Sequence, residues 1–131
     1  MHKEKNTIQS PLGRAKGLGS TGHGLSHWMA QRVTAVTNLI LMVWLVWSVV
    51  HMGTLDYATF TAWLAQPVNA VLMILAVLST FYHASLGLQV VYEDYLQCAV
   101  LRTVKIYGSK LFFIAAAVAC VFSVLKIAFG G

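Results

Sequence analysis

Acidic residues are nearly missing from this chain: four among 131, Glu4, Asp56, Glu93 and Asp94, against nine Lys and Arg. Charged residues of both signs together make up 10%, where a soluble domain carries about a quarter. That scarcity excludes an ordinary water-soluble domain. None of the four acids falls inside an apolar run, which counts against a transporter coupled through a membrane carboxylate. Cysteine is equally sparse. Cys98 and Cys120 show no CxxC or other ligand spacing and fall in different regions, so both read as packing residues rather than a disulfide or thiolate site. No stretch alternates apolar and polar residues, which excludes the strands of a membrane barrel. The net charge of +5 comes without a basic groove interleaved with aromatics, so no nucleic-acid partner is expected.

What the chain does contain is apolar: 58% of residues, with mean hydropathy +0.70. Three stretches lack charge altogether, Val33 to Val50, Val68 to Tyr92 and Leu111 to Leu125, the second running for 25 residues. About 20 residues suffice for a helix to cross the hydrocarbon core. The expected fold is therefore an all-α membrane protein with three transmembrane helices, near 30–52, 66–94 and 107–129. Residues 1–29 form an N-terminal tail and 30–131 the membrane domain. The tail carries no signal-peptide pattern; SPLGRAKGLGSTGHGLSHW holds five glycines and reads as extended or flexible.

Positive charge sets the orientation. Lys3, Lys5, Arg14, Lys16 and Arg32 precede or open the first span, and Arg102, Lys105 and Lys110 lie between the second and third. The first loop, His51 to Pro67, has no Lys or Arg and carries Asp56. The positive-inside rule puts the N-terminus and second loop on the cytoplasmic side of a bacterial inner membrane, or on the matrix side in an organelle. Trp28, Trp44, Trp47, Trp63, Tyr57 and Tyr95 mostly lie near the predicted interfaces, as an aromatic belt. Thr34 and Asn38, mid-helix polar residues, are expected to make interhelical hydrogen bonds. Three helices enclose little, so a partner is expected from size alone. The cluster Ala115, Ala116, Ala117 and Ala119 suits close packing within the chain or against another subunit.

Of five histidines, His2, His23, His27 and His51 fall at tails or interfaces, and only His83 falls inside a span. It lies about 23 Å from the outer end of the second helix and about 16 Å from Asp94 at the inner end, which places it near mid-bilayer, shading inward. An intramembrane imidazole is either a functional group or a neutral ring hydrogen-bonded to the next helix. The small residues around it, with Gly87 one turn on, leave room for something flat and bulky, as a porphyrin is. His51 and His27 sit at other depths, so a second axial ligand would come from another chain. Asp94 falls about 20° beyond three full turns from His83, on nearly the same face, with Tyr95 beside it. An Asp–Tyr pair at a membrane surface can hydrogen-bond a quinone carbonyl, and Arg32 can hold carboxylates. The ordinary readings are interfacial anchors.

The segment His83, Gly87, Gln89, Val90, Asp94, Tyr95, spaced H-x3-G-x-Q-V-x3-D-Y, resembles the second helix of the hydrophobic membrane anchor subunits of succinate dehydrogenase, respiratory complex II. SPLGRAKGLGS followed by HGLSHWMAQRVTAV, within Ser10 to Val36, resembles their N-terminal signature. The tail departs from the pattern in separating His23 and His27 by three residues. The resemblance implies half of a two-subunit helical bundle that shares one haem b with a cytochrome b membrane subunit. Iron–sulfur and flavoprotein subunits dock on that bundle. It implies His83 as an axial ligand of the haem iron, with Gly87 and Arg32 beside the cofactor, and Tyr95 and Asp94 at a ubiquinone site. Succinate oxidation would occur on the flavoprotein, so this chain alone would not be an enzyme. The alternatives are a small homo-oligomeric membrane transporter and a purely structural anchor without haem.

Overall fold

The computed structural model describes residues 10–17 and 24–130. His2, Lys3, Lys5 and His23 lie outside the described residues. Five helices follow in order among those described: α1 (Pro11–Ala15), α2 (Gly24–His51), α3 (Tyr57–Leu64), α4 (Pro67–Tyr95) and α5 (Ala99–Ala128). No described residue is in a strand. α2, α4 and α5, of 28, 29 and 30 residues, are long and apolar enough to cross a membrane. At 1.5 Å per residue each is about 42–45 Å long, more than the ~30 Å hydrocarbon core. Helices solve the problem that lipid poses, because every backbone N–H and C=O is satisfied inside the segment. The chain is a multi-pass membrane protein.

The helices overrun the charge-free runs. α2 begins at Gly24, inside the expected tail, and α5 begins at Ala99, so Arg102, Lys105 and Lys110 ride on its first turns rather than in a loop. The connection to α5 shrinks to Leu96–Cys98. Helical hydrogen bonding does not stop where hydrocarbon stops, and long cationic side chains can reach outward from a continuing helix. The glycine-rich tail also contains a short helical turn, α1, where the Ser10 hydroxyl accepts from the Gly13 amide at 3.1 Å. Cys98, expected to pack, instead precedes α5 as an exposed residue, because the connection is too short to fold back; Cys120 is half-buried, and both are free.

The first loop holds α3, which sequence reading did not anticipate. Gly53 turns the chain after α2 with φ +79°, a left-handed conformation that costs glycine nothing. Asp56 then caps α3, accepting from the Thr59 amide at 3.0 Å. Hydrogen bonds from the Thr59 hydroxyl and amide hold the Asp56 carboxyl below the usual carboxylate range. α4 starts with Pro67 at its first turn, where a missing N–H is harmless.

α4 is the centre of the fold. It packs against α2 on one side and α5 on the other, while the backbones of α2 and α5 stay apart. α3 covers the end of α4 and α5, where Leu64, Ala70 and Val124 form a buried cluster with Phe60, Trp63, Met73 and Ile127 around it. Trp63 also stacks on Trp44 of α2, centroids 5.5 Å apart, so α3 links all three spans. Only six of the described residues are buried, Leu41, Leu64, Ala70, Ala76, Leu86 and Val124, and none of them completely. The exposed area of 10062 Å² compares with about 6,800 Å² for a compact soluble monomer of this mass. The apolar faces of the open row are left for lipid or another subunit.

Candidate functional site

The α2–α4 contact is a polar seam in an apolar pair. On α2, Gln31, Thr34 and Asn38 recur at i, i+3 and i+7, which is one face of a helix. On α4, Thr80, His83 and Gly87 have the matching spacing. Two contacts define the register: Thr34 Oγ1 lies 2.9 Å from His83 Nδ1, and a Cβ on Gly87 would lie 3.7 Å from Gln31 Nε2. The same antiparallel register brings Leu41 level with Ala76, both buried, and Asn38 level with Thr80.

His83 is half-buried. Its Nδ1 is engaged by Thr34, and its Nε2 makes no hydrogen bond among the described residues. Thr34 meets the interhelical expectation. Asn38 does not: its Oδ1 is buried without a partner, as are Gln31 Oε1, Ser79 Oγ and Thr80 Oγ1. Unmet polar atoms away from water are costly, so the seam around His83 holds hydrogen-bonding capacity that this chain does not use.

The register also sets which residues share the level of His83. Arg32 is level with Ser85, about 3 Å along the axis from His83. On the other flank Phe81 meets Phe113, centroids 6.0 Å apart, which puts Lys110 level with Ala84. The stretch free of Lys and Arg on all three spans therefore corresponds to residues 69–83 of α4, about 22 Å, centred near Ala76, with Lys126 level with Val68 at its other end. His83 sits about 10 Å from that centre, toward the end where Arg32 and Lys110 lie. The last turns of α4 continue past the level where α2 and α5 already carry cations.

Arg32 is exposed, with its guanidinium carbon 5.5 Å from the Trp28 ring centroid. Two residues of helix turn it about 200° from Thr34, so the structure does not bring it onto the face of His83. Gly87 faces Gln31 of α2 rather than open space. Asp94 and Tyr95, in the last turn of α4, are exposed, Tyr95 by 81%. His51 stacks on Trp47 and donates to its carbonyl at 2.9 Å, at the far end of α2. His27 reaches a groove of about 410 Å³ between α4 and α5, with Ser85, Gln89 and Lys110 at its polar end. Sequence reasoning missed Gln31 and Lys110 as neighbours of this level. The i, i+3, i+7 polar stripe on α2 was the available signal for Gln31; nothing in the sequence ties Lys110 to the depth of His83.

These features define a class: a multi-pass helical membrane subunit with an open flank and one imidazole presenting a free nitrogen at a polar interhelical seam. The family model described as "Succinate dehydrogenase/Fumarate reductase transmembrane subunit" matches residues 6–124. The chain is 37% identical over 117 residues to the "Succinate dehydrogenase hydrophobic membrane anchor subunit" of Rickettsia bellii, covering 89% of this chain and 94% of that one. Its counterpart in Rickettsia conorii is 36% identical over 115 residues, covering 87% and 91%. The chain belongs to the succinate dehydrogenase/fumarate reductase transmembrane subunit family.

Proposed function

We propose that this chain is the hydrophobic membrane anchor subunit of a succinate dehydrogenase, which co-ligates haem b and forms part of a ubiquinone site. The observation that carries the reading is His83: an imidazole with an unengaged Nε2, on the segment that resembles the family's second helix. Among the described residues no three His, Cys, Asp or Glu side chains gather to hold a metal ion. His83 would hold a haem iron through Nε2, and a cytochrome b membrane subunit packed on the open flank would supply the other protein ligand. When bound, haem b supplies a one-electron carrier. Arg32 and Lys110, within about 3 Å of His83 along the helix axis, would offer positive charge to haem propionates.

Tyr95 and Asp94 lie at the end of α4, about 15 Å past the level of Arg32. Tyr95 offers a phenolic hydroxyl to a quinone carbonyl, and Asp94 is a proton source beside it as two electrons and two protons convert quinone to quinol. Flavoprotein and iron–sulfur subunits docked on that basic end deliver the electrons. The N-terminus is then cytoplasmic in a bacterial inner membrane, in keeping with the positive charge on α2 and α5.

Purification in mild detergent tests the assembly, and a reduced-minus-oxidised spectrum tests the cofactor. Flavoprotein and iron–sulfur subunits should accompany the chain, and His83→Ala should abolish or alter the b-type spectrum. Absence of those subunits would overturn the assembly; an unaltered spectrum in His83→Ala would overturn the ligand. Tyr95→Phe should lower quinone reduction without altering that spectrum.

A further inference from the structure

The Thr34 hydroxyl has a single proton and three candidate partners. It lies 2.7 Å from the Ala30 carbonyl, 3.2 Å from the Gln31 carbonyl and 2.9 Å from His83 Nδ1. Both carbonyl oxygens can only accept. If the hydroxyl donated to His83, its oxygen would face the Ala30 carbonyl oxygen at 2.7 Å with no proton between them. The repulsion is avoided when the hydroxyl donates back to Ala30, four residues earlier, a habit of threonine in helices. Its lone pair then points at His83, and a short contact between Oγ1 and Nδ1 requires the proton to be on Nδ1.

We propose that Thr34 is a positioning residue that locks His83 in the tautomer protonated at Nδ1, so that Nε2 is the nitrogen presented to an iron. A neutral imidazole carries one ring proton, and fixing it on Nδ1 leaves the Nε2 lone pair free. The bond to Thr34 also fixes the ring plane from α2, an element that carries no ligand itself. Because Nδ1 donates, the imidazole becomes more basic and favours the ferric state. The proton assignment stands on the chain alone, whereas its consequence for iron rests on the haem reading above.

Two measurements separate those parts. The first uses the full chain in lipid nanodiscs, labelled with ¹⁵N-histidine, and reads which His83 nitrogen carries the proton. Nδ1 should carry it in the parent chain and in Thr34→Ser, which keeps the hydroxyl. Thr34→Val, of the same shape without it, should lose that preference. A proton on Nε2 in the parent chain, or an unchanged Nδ1 proton in Thr34→Val, would overturn the proposal.

The second uses the assembled complex and reads the haem midpoint potential. Thr34→Val should raise it, a tenfold loss of preference for ferric over ferrous iron corresponding to ~59 mV for one electron. Thr34→Ser should restore it. An unshifted potential with haem bound would overturn the positioning role. If His83→Ala leaves the haem spectrum unchanged, the ligand reading fails, and the tautomer is decided by the nitrogen measurement alone.

Discussion

Gly87→Ala separates two accounts of the seam. If the glycine clears a flat group, any added side chain displaces that group. If it lies against α2 as the structure has it, the new methyl meets Gln31 Nε2 at 3.7 Å, an ordinary contact that needs no movement. Glycine within a helix is about 0.8–1.0 kcal/mol less favourable than alanine. The substitution should therefore stabilise α4 by up to about 1 kcal/mol and keep haem incorporation intact. Leucine at the same position would drive into the Gln31 side chain and cost about 1–3 kcal/mol through overpacking. Thermal unfolding of the detergent-solubilised complex, followed by loss of the haem Soret band, compares the three chains side by side. Loss of haem in Gly87→Ala, with subunit assembly retained, would refute this reasoning. Gln31 would then have to leave the seam when the complex forms.

Asn38→Leu removes a buried amide whose oxygen has no partner, and should raise the stability of the α2–α4 pair by about 1 kcal/mol in the same melts. Trp63→Ala strips the ring that joins α3 to Trp44 and the Leu64 cluster. It should cost roughly 2 kcal/mol, less than a fully buried tryptophan, and should speed proteolysis of the loop between α2 and α4. The Asp56 cap should respond to acid. Because its carboxyl titrates below the unfolded value, the cap is fully present above that value and is lost as pH falls through the lowered one. Hydrogen exchange of the Thr59 amide should rise over that acid window, and Asp56→Asn, still a competent cap, should abolish the dependence.

The spans were legible because nothing but a helix suits a long charge-free run in lipid. His83 stood out for the same reason, as the one histidine within such a run. α3 was hidden by its length of eight residues, although Asp56 ahead of Phe60, Trp63 and Leu64 is a usable cap-and-face signal. The ends of α2 and α5 were hidden because charge marks where lipid ends, not where a helix does. The neighbour of Gly87 was hidden for a different reason: small size announces a close neighbour without saying which one, and within this chain it is Gln31.

The sequence by itself determined three membrane helices, the basic bias of one end and the family to which the chain belongs, all properties of composition and order along one strand of chain. Tertiary structure decided which residues share the level of His83, because that level is set by the packing of α2 and α5 on α4 and not along α4 alone. It decided the partner of Nδ1 as well, since Thr34 and His83 are 49 residues apart and meet only through the antiparallel register of α2 on α4. Buried Leu41 level with Ala76 is part of that register, and a slip of one residue would turn Thr34 about 100° away from the imidazole.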